Sequence, residues 1–476
     1  MMRSMIGLVV ALGALAPSAG FRSDDRSADA RPDDASGRLR ANAPPAESGS
    51  KSPLDGWVVV NGLPSTWRAD GDEIVCTGVP NGMLRSAKSY GDFTLELEWN
   101  HAKPDGNAGI FVWADPIPAR GGAFPRSIEA QVMLTDDVKD DQGRLLYTGH
   151  GDLFSIHGAR CEPVRPHPAG WQRCLPSARR TKGAGEWNHY RVEGRDGTLT
   201  LAVNGEVVSE VRNCEPRRGY LCLESEGSEV RFRNIRITEP STGASDGSAS
   251  QDTSGPWLTM LDPLLLRWRA DDANVDGVSW TTDGTLLRFD GKGGNLWMRG
   301  SVADFDLVVD WRWTKEHQGL MPRPVILPDG TEAKNEDGSP KTVEVEERDG
   351  GIFVRGSTKA QVNMWAWTVG SGEIYGYRTD PRSSSEVRAA CTPKSAADRP
   401  VGEWNRFEIS MRGKRLSVTL NGVLVIDAVE LAGVPKRGPV GLQSHGCPME
   451  FMNIYLRPVG GGESGIPDWS PGSESR

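Results

Sequence analysis

The chain has 476 residues, 37 % of them hydrophobic, with 57 Gly, 32 Pro, 16 Trp and a formal net charge of −9. That length exceeds one ordinary core and predicts two or three domains, in a soluble protein rich in strands and turns. The mild acidity and the lack of a basic cluster argue against nucleic acid as a partner, and no later segment is apolar over a membrane-spanning length.

In chain order, Arg3, the apolar run Met5 to Ala16 and the small residues Ser18, Ala19 and Gly20 read as a secretory signal over residues 1–20. The expected location is therefore periplasmic or extracellular. Residues 21–52 are rich in Ser, Ala, Asp, Arg and Pro, and read as a disordered leader. The first module spans 53–239. In it Phe93, Leu95, Leu97 and Trp99 alternate with Thr94, Glu96 and Glu98, the period-two pattern of a strand with one buried face. "TLTLAVNGEVVSEV" then reads as strand, Asn-Gly turn, strand. Residues 240–256 are a Ser/Thr/Gly-rich linker, 257–458 a second module, and 459–476 a flexible tail.

The second module repeats the first. "FTLELEW" at Phe93 is answered by "FDLVVDW" at Phe305, "GIFV" at Gly109 by "GIFV" at Gly351, and "AQV" at Ala130 by "AQV" at Ala360. "GDLFSIH" at Gly151 is answered by "GEIYGYR" at Gly372. "GEWN" occurs at Gly185 and Gly402, each time ahead of an Asn-Gly hairpin. Its expected role is structural, with Trp187 and Trp404 capping a core where a strand begins. The insertion containing "PDGTEAKNEDGSPK" is expected to be a polar loop. This is duplication of a domain-sized unit, with a β-sandwich expected in each half. Seven cysteines in an oxidising compartment allow bridges such as Cys161–Cys174 and Cys214–Cys222, and the odd total leaves at least one free thiol or an intermolecular bond.

The ordered set "GNAGIFV", "EAQVML", "GEWN", Asn-Gly and "FRNI", found twice, resembles the 3-keto-disaccharide hydrolase domain, also called the 3-keto-glucoside 1,2-lyase / 3-keto-2-hydroxyglucal hydratase domain. The resemblance implies two tandem concanavalin A-like jelly-roll sandwiches, an all-β fold. It also implies an exported protein that cleaves 3-keto-glycosides. A ketone at C3 makes the C2 proton acidic; a base removes it, the C1 group leaves, and water adds to the resulting glycal. Hydrogen-bond donors or a metal would hold the enolate, and a divalent metal is left open as the cofactor.

His157 is the first candidate base, with Glu129 and Asp152 as further catalytic residues. In an extended segment Asp152 would share a face with Phe154 and Ile156, and His157 would lie on the other with Leu153 and Ser155. Asn107, Gln131, Arg173 and Trp171 are candidate sugar contacts in the first module. Gln361, Asn363, Glu373, Tyr375, Tyr377 and His445 are their counterparts in the second, where Tyr rings stack on sugars and amides bind hydroxyls. Aligning "AQV" with "AQV" matches Glu129 with Lys359, while His157 matches Arg378 and Glu226 matches His445, so the two sites differ. Two rival readings stand beside this one: a non-catalytic glycan-binding protein, and a hydrolase of unmodified glycosides using Glu224 and Glu226.

Overall fold

The phrase "GEWN … NG" is a clamp between two asparagines. Asn204 and Gly205 form the two-residue turn between strands Thr198–Val203 and Glu206–Glu215, both with positive φ (48° and 89°), as the right-handed twist of a hairpin requires. Asn204 Nδ2 donates to Asn188 Oδ1 at 3.0 Å, and the His189 N–H donates back to Asn204 Oδ1 at 2.9 Å. Asn421, Asn405 and Arg406 repeat this arrangement at 2.8 and 2.9 Å. Trp187 and Trp404 do not cap the core. They are partly exposed, under the guanidinium groups of Arg233 and Arg312.

The computed structural model describes residues 52–63, 65–240, 256–271, 279–314, 319–460 and 465–466. The signal at 1–20, the leader up to residue 51, linker residues 241–255 and most of the tail lie outside the described residues. Both modules fall within one unit, Lys51–Arg476.

Each module is a sandwich of antiparallel sheets, as the alternation predicts. In the first, a seven-stranded sheet runs in the order Trp57–Val60, Gly82–Ser86, Tyr220–Ser225, Asn107–Ala114, Ser127–Met133, Leu153–Ile156, Arg173–Cys174. An eight-stranded sheet centred on Phe93–His101 packs behind it. Phe93, Leu95, Leu97 and Trp99 are at most 1 % exposed and face the sandwich core. In the second module a five-stranded sheet carries Gly441–Leu442, Asp349–Val354 and Ser357–Trp365 side by side, backed by a larger sheet centred on Asp304–Trp313. The insertion is more than a loop: Leu320–Pro324 pairs with Thr342–Glu346 as a two-stranded ribbon. The stretch aligned with "FSIH" is not extended, because Tyr375–Arg378 forms a single helical turn.

The modules are packed together asymmetrically. Asp310 of the second module is fully buried and accepts from Arg406 Nε (2.6 Å) and Nη2 (2.9 Å), Asn453 Nδ2 (2.8 Å) and the Gly121 N–H of the first module (2.9 Å). Four donors offset the cost of removing that carboxylate from water. Gly121 has φ +67°, and a Cβ there would sit 2.5 Å from Trp404 Cδ1. Beside this polar joint, Val60, Met83, Phe111 and Cys222 from the outer face of the first module's seven-stranded sheet pack on Val308 and Tyr455. Part of that face is therefore covered by the second module.

All seven cysteines are free and buried. The bridges considered from the sequence do not form. Cys214, on the eight-stranded sheet, packs in the sandwich core, and Cys222, on the seven-stranded sheet, faces the inter-module cluster. The loop from Cys161 is closed by Gln172, whose Oε1 accepts from the Cys161 N–H at 3.0 Å. Among the described residues no helix is long and apolar enough to cross a membrane.

Candidate active site

Backbone pairing fixes which residues of the two modules correspond. The Gln131 N–H donates to Asp152 O at 3.0 Å and the Gly151 N–H to Gln131 O at 3.4 Å. The Asn363 N–H donates to Glu373 O at 3.0 Å and the Gly372 N–H to Asn363 O at 2.8 Å. Gln131 thus corresponds to Asn363. Phe111 pairs with Glu129 and Phe353 with Gln361, so Glu129 corresponds to Gln361 and not to Lys359. The shared "AQV" phrase aligns the strands two residues out of register. A slip of two keeps every side chain on its face, so the hydrophobic pattern does not reveal it.

In the second module the outer face of the five-stranded sheet forms a cleft of about 240 Å³. Gln443 and His445 follow strand Gly441–Leu442, and the Gln443 N–H donates to Gly351 O at 2.9 Å, which holds the segment beside Asp349–Val354. Gln361 Nε2 donates to Gln443 Oε1 at 2.5 Å, which orients that amide. Gln443 Nε2 then lies 3.3 Å from His445 Nδ1; an amide nitrogen only donates, so Nδ1 accepts and the ring proton stays on Nε2. Nε2 lies 3.4 Å from Asp349 Oδ2. Three side chains therefore form a directed chain of donors ending on one carboxylate. Burial pushes the Asp349 carboxyl above the usual carboxylate range, and His445 pulls it partly back.

The rim of this cleft is aromatic and cationic. Trp365 and Trp367 are stacked with ring centroids 3.9 Å apart, and Tyr375 meets Trp365 edge-on at 5.8 Å. Arg323, carried in by the inserted ribbon, lies over Trp367 at 5.1 Å. Asn363 completes the polar lining. Beneath lies the fully buried Glu373, in contact with Arg378. Burial pushes Glu373 up to about 7 although Arg378 opposes it. Tyr377 is buried in the core, its hydroxyl donating to Ala432 O at 3.0 Å, and does not line the cleft.

In the first module the same positions carry different chemistry. Asn107 stands at the position of Asp349 and Glu226 at that of His445, and Asn107 Nδ2 donates to Glu226 Oε2 at 2.5 Å. Gln131 Nε2 donates to Asn107 Oδ1 at 2.9 Å. Glu129 and Glu224 stand where the second module has Gln361 and Gln443. Asp152 is fully buried and accepts from Arg173 Nη1 at 2.7 Å and Thr148 Oγ1 at 2.5 Å. Arg173 thus partners Asp152 much as Arg378 partners Glu373, but from the strand Arg173–Cys174 and not from a helical turn.

His157 does not join these groups. Its strand pairs Phe154 with Glu129 and Ile156 with Ser127, so His157 lies beyond the far end, with φ 51°, in a groove between the modules lined by Trp257 and Arg457. Trp171 is 45 % exposed and stacks on His167 at 4.4 Å, away from the sheet face. The sequence reading missed Asp349, Arg323 and Gln443. Asp349 was within reach, since it precedes "GIFV" by the same interval as Asn107. Arg323 was not, because the insertion has no counterpart. Among the described residues no three His, Cys, Asp or Glu side chains converge on a common ligand point.

Comparison with known proteins follows the duplication. The 3-keto-alpha-glucoside-1,2-lyase-like domain matches residues 49–238 and again 257–457. The chain belongs to this family. As a 3-keto-alpha-glucoside-1,2-lyase-like protein with two tandem domains, it is a carbohydrate-active protein. No curated protein sequence matches it. Among solved structures it is similar to a Parabacteroides distasonis protein classed as a glycosyl hydrolase, at 21 % identity over 39 % of this chain and 89 % of the other, with a TM-score of 0.31. It is also similar to the carbohydrate-binding module CBM66 of Bacillus subtilis (14 %, 39 % and 96 %, TM-score 0.27). A third is the Bacillus licheniformis β-glucanase (13 %, 41 % and 100 %, TM-score 0.28).

Proposed function

We propose that the protein is exported and that its second domain cleaves 3-keto-glycosides by elimination, with Asp349 as the base. The observation that carries this reading is the donor chain Gln361–Gln443–His445 ending on Asp349. A carboxylate shifted upward by burial is a better base near neutral pH. Asp349 takes the C2 proton of the bound sugar. The Arg323 guanidinium donates to the C3 oxygen as it becomes an enolate, while the His445 Nε2–H, directed at Asp349, holds the base in position. The enolate then collapses to expel the C1 group, and the proton held by Asp349 goes to the leaving oxygen. Water adds across the resulting glycal, so the net reaction is hydrolysis. Trp367 and Tyr375 supply the face on which the sugar ring stacks, and Gln361 and Asn363 meet its hydroxyls. The N-terminal signal pattern, Arg3 to Gly20, supports export.

The stacked aromatic rim also suits a protein that binds glycans without turnover. Incubation of purified protein with a 3-keto-disaccharide and with its unoxidised parent, followed by chromatography, separates the readings. The elimination reading expects monosaccharide products from the oxidised sugar in wild type and at least 100-fold less from Asp349→Asn. Binding without product would contradict it.

A further inference from the structure

The cleft of the second domain has a wall that the first domain lacks. In the first domain residues 102–106 link Phe93–His101 to Asn107–Ala114; in the second, residues 314–348 link Asp304–Trp313 to Asp349–Val354. The longer link carries the ribbon, and the ribbon is fixed at both ends. At its root the buried Arg348 donates to Glu346 Oε2 at 2.5 Å and to Thr314 O at 3.1 Å, which joins the two ends of the insertion immediately before Asp349. At its tip Gly330 O accepts from Arg378 Nη1 at 3.3 Å. Gly330 has φ +79°, and a Cβ there would lie 2.8 Å from Arg388 O and 2.9 Å from Thr392 Oγ1. The tip therefore sits directly on the helix Ser385–Ala390.

These two anchors set the path of the ribbon. Ser357–Trp365 is an edge strand of the five-stranded sheet, and the tip docks on chain beyond that edge. Between root and tip, Arg323 leans over Trp367 and lines the cleft. The facing wall is Gln443 and His445, which follow the strand on the other side of Asp349–Val354. About 240 Å³ lies between the walls, below the roughly 300 Å³ at which pockets for drug-sized ligands begin. One sugar ring fills that space.

We infer that the ribbon is the specificity element of the second domain: it excludes substituents on O4 of the oxidised sugar, so the domain removes one 3-keto unit at a time from free chain ends. This inference rests on the elimination reading, in which Arg323 meets the C3 oxygen and Asp349 meets C2. C4 adjoins C3 on the side away from C2, so O4 points at the wall that carries Arg323. C1 adjoins C2 on the other side, so the leaving group departs away from the ribbon and its length is not read. A group on O4 has to displace a segment packed at both ends, and packed protein yields little. The first domain has no such wall, so this selection belongs to the second domain alone.

The test uses the full chain and three substrates: a 3-keto-glucoside, its 4-O-methyl derivative, and an oligosaccharide oxidised only at its non-reducing end. In wild type the methyl group should lower kcat/KM by roughly 10- to 100-fold, the scale of one misfitting methyl group in a closed site, while the longer leaving group changes it little. Two variants loosen the wall and keep Arg323. Gly330→Val unseats the tip, and replacement of residues 325–341 by Asn-Gly closes the ribbon with a short hairpin turn. Thermal melting identifies which of them is folded. In a folded variant the penalty for the 4-O-methyl group should shrink to about threefold or less, because the clash is gone. Equal rates on the two glucosides in wild type, or an undiminished penalty in a folded variant, would overturn the role of the ribbon and leave the elimination reading standing. Turnover of none of the three substrates would overturn both.

Discussion

His445 Nε2 faces Asp349 Oδ2 across 3.4 Å, and the ring proton lies between them because Gln443 occupies the other ring nitrogen. The imidazole is thereby a donor and the carboxylate the group left to accept a proton. This assigns acid and base by hydrogen-bond direction, and it separates the two domains: the first has Asn107 and Glu226 at these positions.

Gln443→Leu should disturb the reaction without touching substrate. Removing the amide frees His445 Nδ1 to hold the ring proton, so Nε2 ceases to be a dependable donor. A kcat loss of roughly 10- to 100-fold is expected, within the range of one misdirected acid–base group. KM should change little. Steady-state kinetics on a 3-keto-glucoside checks this, with thermal melting as the folding control.

Trp367→Ala should act on binding. A stacking face contributes about 0.5–1.5 kcal/mol beyond burial, so KM should rise several-fold, up to roughly tenfold, with kcat nearly constant. A kcat loss greater than the KM rise would place Trp367 in the chemistry instead of the binding surface.

Arg378→Ala should destabilise the second domain by about 3–5 kcal/mol, the usual cost of leaving a buried charge without its partner. Glu373 already has a folded-state value near 7, above the 4.5 of an ordinary glutamate. The folded state therefore binds the proton more tightly than the unfolded state, and stability from this group falls as pH rises from 4.5 through about 7. Without Arg378 the upper edge of that window moves upward while the lower edge stays at 4.5. Melting curves between pH 5 and pH 9 should show the variant still losing stability at pH values where wild type has levelled off.

The joint between domains gives another test. Gly121→Val places a side chain against Trp404 at a left-handed φ and displaces the N–H that meets Asp310. A cost of roughly 2 kcal/mol or more at this joint is expected. Calorimetry should resolve two unfolding transitions where wild type shows one.

The fold was legible because its signals are local. Alternation in "FTLELEW" and the Asn-Gly turns depend on neighbours in sequence, and they predict the sandwich and the hairpins. The site was less legible because it is made by pairing across strands. Nothing local shows that "AQV" is out of register, or that a polar insertion folds into a ribbon bearing Arg323. His157 looked like a base by residue type alone; the length of its strand carries it past the site.

The most direct measurement is exchange of the C2 proton of a 3-keto-glucoside in deuterated water, followed by NMR with the full-length protein. The account predicts exchange or elimination at C2 with wild type, at least 100-fold slower with Asp349→Asn, and near wild-type rates with His157→Ala. Undiminished exchange in Asp349→Asn, or none in wild type, would contradict it.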